Sequence, residues 1–206
     1  MNFDDFYSRK YSYFSEEHSG GMEECLIEYK VNPCSAVDLG AGEGRNSLFL
    51  ASLGFNVTAI EPSKIGAKKI ELRAQESGIP LTVINNDFLS ASGKLSDIGF
   101  LVALTSLDHM EFGYICKTIN EIKRIIKPGG YVYIMVFTED DPGFKKDLDN
   151  ASECSLFIKH YFKKNELKKF FDDFEILKYA EYIKVDELHG PKHYHGKAKL
   201  FARKLL

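Results

Sequence analysis

Two hydrophobic periods alternate along the chain. From Cys34 to Phe137, short runs rich in β-branched and apolar residues are separated by longer segments of helical period. The runs are Ser35–Leu39, Asn56–Glu61, Leu81–Asn85, Ile98–Leu104 and Tyr131–Phe137. Strands alternating with helices predict a parallel sheet covered on both faces. Ahead of the fifth run, Ile115, Ile119, Ile122 and Ile126 recur at intervals of three and four, which puts one apolar stripe on a helix. That helix is expected to stop at Lys127-Pro128-Gly129-Gly130, where proline lacks a donor and glycine favours a left-handed turn. Asn165 is placed to cap a further helix carrying Leu167, Phe170, Phe171 and Phe174 on one face, with the Lys159–Lys169 run as its solvated side. Glu175–Val185 and His193–Arg203 then read as an antiparallel pair at one sheet edge. The pattern as a whole predicts an α/β three-layer sandwich with a seven-stranded, mainly parallel sheet whose last strand is antiparallel. Thr138–Ser155, rich in Asp, Lys and Gly, reads as a long loop of the kind that forms lids.

Composition narrows this picture. With 206 residues and 44% hydrophobic content, residues 1–206 can bury one substantial core and are expected to form a single domain. Lys and Arg number 27 against 30 Asp and Glu, so no basic stripe offers itself to a polynucleotide. Cys25, Cys34, Cys116 and Cys154 are scattered, unlike the close pairs of a zinc site or a disulfide framework. The start, Met1-Asn2-Phe3-Asp4-Asp5-Phe6, lacks a basic segment leading into an apolar run, and no later stretch approaches the ~18 apolar residues of a membrane span. A cytoplasmic protein, neither exported nor membrane-spanning, is expected.

The chemistry concentrates at strand ends. In Val37-Asp38-Leu39-Gly40-Ala41-Gly42-Glu43-Gly44-Arg45-Asn46-Ser47 a strand turns through three glycines into a helix. Glycine at alternate positions lets the backbone bend sharply and approach a ligand, because no Cβ intervenes. The spacing is Asp-x-Gly-x-Gly-x-Gly, whereas a dinucleotide turn reads G-x-G-x-x-G and presents pyrophosphate to a helix N-terminus. S-adenosylmethionine (SAM) has no pyrophosphate, and Asp38 is compatible with its ammonium group, directly or through water. Glu61 closes the second strand where a carboxylate can accept from both ribose hydroxyls, a position that serves SAM and NAD alike. After the third strand, Asn86-Asp87-Phe88 offers a carboxylate for an adenine amino group, a backbone N–H for a ring nitrogen and a nearby aromatic ring. Turn, ribose ligand and adenine ligand fall in succession on the edge where open α/β sheets bind ligands.

On Val37–Gly44, Glu61, Asp87-Phe88, Thr105–Met110 and Lys127-Pro128-Gly129-Gly130, the chain resembles the class I, Rossmann-like SAM-dependent methyltransferases over nearly its whole length. It is similar within them to the tellurite-resistance, TehB-like group. That likeness rests on Gly44-Arg45-Asn46-Ser47, Tyr7 to Tyr11 with Arg9-Lys10, Glu187-Leu188-His189-Gly190, and Lys199-Leu200-Phe201-Ala202-Arg203-Lys204. The resemblance implies methyl transfer from SAM to a small acceptor such as tellurite, selenite, a thiol or another metabolite. It places the cofactor against Asp38, Gly40, Ala41, Gly42, Arg45, Asn46, Glu61, Pro62, Asp87, Phe88 and Thr105. Two departures bear on oxyanion chemistry: the loop after His189 is short, and Gly190 stands where a basic residue often follows that histidine.

SAM is already an activated donor, so alignment of the nucleophile and exclusion of water suffice, and no covalent residue is required. A thiolate or oxyanion brings its own charge; an amine or hydroxyl needs a base such as His109 or His189. The resemblance lets Arg9 and His189 orient the acceptor, while Arg9-Lys10 on a helix surface and a packed His109 are the bland alternatives. Tyr7, Tyr11, Tyr13 and Phe14 form either a lid or an apolar helix face, and residues 1–30 are expected to cap the site. His189, His193 and His195, with Asp186 and Glu187 nearby, match no standard metal spacing, so a solvated hairpin loop is expected and no metal. The competing readings are an NAD-dependent oxidoreductase and a non-catalytic SAM-binding module.

Overall fold

The computed structural model describes residues 3–8, 21–145, 151, 155, 157–186 and 192–206. Seven strands form one sheet in the order β3-β2-β1-β4-β5-β7-β6. The parallel part is built from β1 (Ser35–Leu39), β2 (Asn56–Ile60), β3 (Thr82–Ile84), β4 (Ile98–Leu104) and β5 (Ile126–Phe137). The last strand, β7 (His193–Lys204), runs antiparallel to both β5 and β6 (Phe174–Asp186), as its place in the sequence pattern predicts. The architecture is the α/β, Rossmann-like sandwich expected from the chain.

Alternation along the central strands supplies both faces. Phe100, Val102 and Leu104 pack with Tyr133, Met135 and Phe201 on the side of α2 (Met22–Glu28) and α3 (Arg45–Ser52). Leu101, Ala103, Val132, Ile134 and Val136 face the other way, onto α6 (Phe112–Ile125), where Ile115, Ile119, Ile122 and Ile125 are all buried. The apolar stripe read on this helix is thus its sheet-facing side.

Several local expectations are corrected. Strand β5 begins at Ile126, and Lys127–Gly130 forms an excursion opposite Gly99 as the pairing shifts from Ile98↔Ile126 to Phe100↔Tyr131. A proline fits there because the ladder is broken. Helix α7 spans only Glu166–Phe170, and Asn165 adopts a left-handed conformation with no side-chain cap bond; its N–H donates to Glu181 Oε1 at 2.6 Å. The Lys159–Lys169 run is therefore not one helix, since only its end is helical and Phe162 is fully buried within it. Residues 22–28 belong to the core, through Met22, Cys25 and Leu26, while α1 (Phe3–Tyr7) lies apart from them. The start of the Thr138–Ser155 segment is pinned, with Thr138 N donating to Gly196 O at 2.9 Å and Glu139 N to Phe162 O at 3.1 Å. No helix among the described residues is long and apolar enough to cross a membrane.

Two consequences of this topology position a site. The chain reverses direction across the sheet at β1 and β4, and the carboxyl ends of those strands flank the crevice where open α/β sheets take ligands. Because β7 is antiparallel, its first residues lie at that same edge, with Lys197 opposite Phe137.

Candidate active site

The turn after β1 carries positive φ at Gly40, Gly42 and Gly44, at 69°, 61° and 85°. At Gly40 the need is steric as well as conformational: a Cβ there would lie 2.5 Å from Ser106 Cβ. The N–H groups of Gly40 and Ala41 both donate to Ile60 O, at 2.9 and 3.1 Å, and tie the turn to β2. Asp38 sits behind the turn, buried, and accepts from Ser47 Oγ at 2.5 Å; burial pushes its carboxyl up to about 6. It locks β1 to α3 and does not line the cavity.

Glu61 is clamped by main chain. Gly42 N donates to Oε2 at 2.7 Å and Ser63 N to Oε1 at 2.8 Å, while burial pushes its carboxyl up to about 7. Desolvation and the two donors pull in opposite directions, and burial wins in the ligand-free protein. Two further hydroxyl donors from a ligand would tip the balance toward the carboxylate. Asp87 caps α5 (Phe88–Ser92): its Oδ1 accepts from Ser90 N at 3.1 Å and from the Tyr114 hydroxyl. Those donors hold its carboxyl below the usual range.

These strand ends open onto one cavity of about 860 Å³. Its walls include Gly40, Ala41, Gly42, Arg45, Asn46, Glu61, Pro62, Asp87, Phe88, Thr105 and His109. Thr105 is held at φ 49°, a rare conformation for a β-branched residue, with its N–H donating to Met135 O at 2.8 Å. Strain of this kind concentrates at functional sites. Arg9, Lys10, Tyr11, Tyr13, Phe14 and His189 lie outside the described residues.

The other half of the cavity comes from segments remote in sequence. Phe3, Phe6 and Tyr7 of α1 close one side together with Phe157, whose ring lies 5.2 Å from Phe3 and 5.6 Å from Phe6. Met135 and Phe137 come from the end of β5, and His195 and Lys197 from the start of β7. This corrects the expectation of a solvated hairpin loop at His193 and His195, each of which is only 5% exposed within β7. Their Nε2 atoms are 3.1 Å apart, and His195 Nδ1 lies 3.3 Å from Asp141 Oδ2. Asp141 in turn accepts from Gly143 N at 2.8 Å and Gly196 N at 3.1 Å. A Cβ at Gly196 would meet Asp141 N at 2.4 Å, so the Thr138–Asp141 turn seats on β7 only over a glycine. Among the described residues, no three His, Cys, Asp or Glu side chains come together to hold a metal ion.

Sequence reasoning did not single out His195, Lys197, Asp141, Phe157 or Tyr114 as cavity or support residues. A signal existed for two of them. His193, His195 and Lys197 alternate on one face of a strand whose start, in an antiparallel position, falls at the ligand edge.

Chains of known kind resemble this one in sequence and fold. The family model described as "Tellurite resistance protein TehB" matches residues 1–205. Hemagglutinin 1 of Eikenella corrodens is 28% identical over 184 residues, covering 87% of this chain and 57% of its own length. The probable S-adenosyl-L-methionine-dependent methyltransferase TehB of Haemophilus influenzae is 27% identical over 192 residues, covering 89% of this chain and 61% of its own. The crystal structure of TehB from Haemophilus influenzae superposes with a TM-score of 0.74 at 23% identity, covering 98% of this chain and 67% of that one. The chain thus spans about 60% of the length of the curated relatives it matches.

Proposed function

We propose, from the premise that this chain belongs to the tellurite resistance protein TehB family, that it transfers a methyl group from SAM to a small nucleophilic acceptor. One observation carries the reading: the left-handed glycine turn, Glu61 and Asp87 converge on a single cavity that continues past Thr105 into a second compartment with aromatic and methionine walls. The first compartment suits an adenosine ligand without pyrophosphate, the glycine turn taking the methionine part, Glu61 the ribose and Asp87 with Phe88 the adenine.

Bound SAM supplies an electrophilic methyl group on a sulfonium. The protein's task is then to bring a nucleophile opposite that sulfur and keep water out, and orientation alone is worth about 7–11 kcal/mol. Phe3, Phe6, Tyr7 and Phe157 give the cavity an apolar wall suited to that second task. Met110, Met135 and Phe137 give the acceptor end polarizable walls that favour a soft nucleophile, a thiol or a selenium or tellurium oxyanion. His109 serves as base where the acceptor brings a proton. Arg9 and His189 orient the acceptor in this reading, through the family likeness. The proposed compartment is the cytoplasm, where the free thiols of Cys25, Cys34 and Cys116 stay reduced.

The test is isothermal titration with SAM, S-adenosylhomocysteine and NAD, followed by an acceptor panel of selenite, tellurite, thiols and amines. Binding of the first two ligands with turnover on the panel is the expected result. NAD binding in their place would overturn the cofactor, and SAM binding without turnover on any acceptor would point to a non-catalytic module.

A further inference from the structure

Among the buried carboxylates described near the cavity that the proposed mechanism leaves unused, Asp108 stands apart from Asp38, Glu43 and Asp141 in that neither of its oxygens is hydrogen-bonded. It lies in a short 3-10 turn, Leu107–His109, that follows β4, is 0% exposed, and neither Oδ1 nor Oδ2 has a hydrogen-bond partner. Its carbonyl accepts from Lys159 N at 2.9 Å and His160 N at 3.1 Å. An orphaned buried carboxylate is costly, and a fold keeps one only against a compensating use. Burial pushes it up to about 6, partly offset by the nearby charges of His109 and of Lys197 on β7, while Asp141 raises it. Burial raises the Tyr161 hydroxyl, and the charges of Asp141 and Asp108 add to that rise.

The neighbouring group is His109. Its Nδ1 lies 3.0 Å from Phe157 O, and because a carbonyl only accepts, Nδ1 carries the hydrogen and the neutral ring has its lone pair on Nε2. That Nε2 is 4.0 Å from Asp108 Oδ2, too far for a hydrogen bond and near enough for a strong charge interaction in a buried place. The ring of Phe3 packs edge-on at 4.9 Å and fixes the imidazole from the cavity side. His195 has no comparable freedom: its Nδ1 faces Asp141, its Nε2 faces His193, and Asp141 already accepts from two backbone N–H groups.

We propose that Asp108 is a positioning residue, a buried negative charge that makes His109 Nε2 the proton acceptor, and that the methyl acceptor is therefore a nucleophile arriving with its proton, a thiol, amine or hydroxyl. The inference rests on the methyltransferase reading. In the step, the lone pair of the acceptor heteroatom forms the new bond to the methyl carbon while the C–S bond breaks and its electron pair stays on sulfur. The acceptor's proton moves to His109 Nε2. The positive charge that began on the sulfonium ends on the imidazolium, beside the Asp108 carboxylate.

Titrating the His109 imidazole by ¹⁵N–¹H correlation NMR in the full chain, as wild type, Asp108→Asn and Asp108→Leu, tests the pair without any acceptor. Both variants remove an unpaired buried charge, so their thermal stability is expected to hold or rise. The titration curve of His109 is expected to differ from wild type in each. An unchanged midpoint in either folded variant, or a wild-type ring unprotonated at Nδ1, overturns the proposal. For the acceptor class, turnover on thiols, amines or hydroxyls that falls about tenfold or more in Asp108→Asn near neutral pH is the expected result. Turnover on selenite alone overturns it. Failure of the methyltransferase reading shows separately, as a wild-type chain that neither binds SAM nor turns over any acceptor.

Discussion

The two halves of the cavity are built on different principles. The half that suits the cofactor comes from three strand ends between Asp38 and Phe88, where main chain does most of the holding: glycines in left-handed conformations, and Glu61 clamped by two backbone N–H groups. The half that suits the acceptor is assembled from α1, the ends of β4 and β5, Phe157 and the start of β7, where side chains hold one another. In the proposed reading, main-chain geometry in the first half selects the methyl donor, and a side-chain mosaic in the second leaves the acceptor open to change. The comparison is broken if a lesion in one half disables both equally.

Gly40→Ala is expected to have the largest effect. Its Cβ would collide with Ser106 while forcing alanine to φ 69°, a strain of about 1–3 kcal/mol. If that strain is relieved only by moving the turn, SAM affinity falls about ten- to a hundredfold in calorimetry. Unchanged affinity would show that the turn does not touch the ligand. Gly196→Ala is the matching lesion in the second half. Overpacking against Asp141 N is expected to cost about 1–3 kcal/mol of stability and to lower turnover, with SAM affinity within about threefold of wild type. Equal loss of affinity in both variants would mean that the halves are one mechanical unit.

A pH series sharpens the first half alone. Folding raises the Glu61 carboxyl from 4.5 to about 7 and that of Asp38 from 3.8 to about 6, in both cases through burial. Groups raised in this direction stabilise the ligand-free fold fully below their unfolded values and lose that contribution as pH rises through the folded ones. The melting temperature of the ligand-free protein is therefore expected to carry a decline of a few degrees between about pH 4 and 7, and Glu61→Gln to reduce it. SAM affinity should run the other way, rising with pH through about 7 as ribose hydroxyls select the carboxylate, with proton release seen in buffers of different ionisation enthalpy. Affinity independent of pH would remove Glu61 as the ribose ligand.

The same division governs what the sequence makes legible. The strand pattern, the antiparallel last strand and the glycine turn follow from local periodicity and composition, which a linear reading captures. Asp87 was legible as a site residue, whereas the Tyr114 hydroxyl that holds it comes from α6, 27 positions along the chain. His195 and Asp141 are 54 positions apart and meet only because β7 pairs with β5 in one register. Asn165 misled because its side-chain type favours a cap while its backbone sits at φ 60° and its N–H is taken by Glu181.

The smallest expected effect lies where the halves join. Helix α1 is latched to the start of α4 (Lys64–Ser77) by Asp4, whose Oδ1 accepts from Ser63 Oγ at 2.5 Å and Ile65 N at 3.2 Å. At its other end Lys69 Nζ donates to Tyr7 O at 2.7 Å and to Glu43 Oε1 at 2.6 Å. One short helix thus spans from the glycine turn to the aromatic wall. Asp4→Ala opens one of the polar ties of this helix, so dissociation of S-adenosylhomocysteine, followed by stopped flow, is expected to speed up by about three- to tenfold. The Ser63 and Ile65 donors hold the Asp4 carboxyl below its ordinary 3.8, so its contribution is present above that value and lost only in stronger acid. Between about pH 6 and 8 the ratio of wild-type to variant rates should therefore stay flat, even as Glu61 makes both affinities pH-dependent. A ratio that changes across that window would tie the latch to Glu61, and α1 would then belong to the cofactor half and not to the seam between the two.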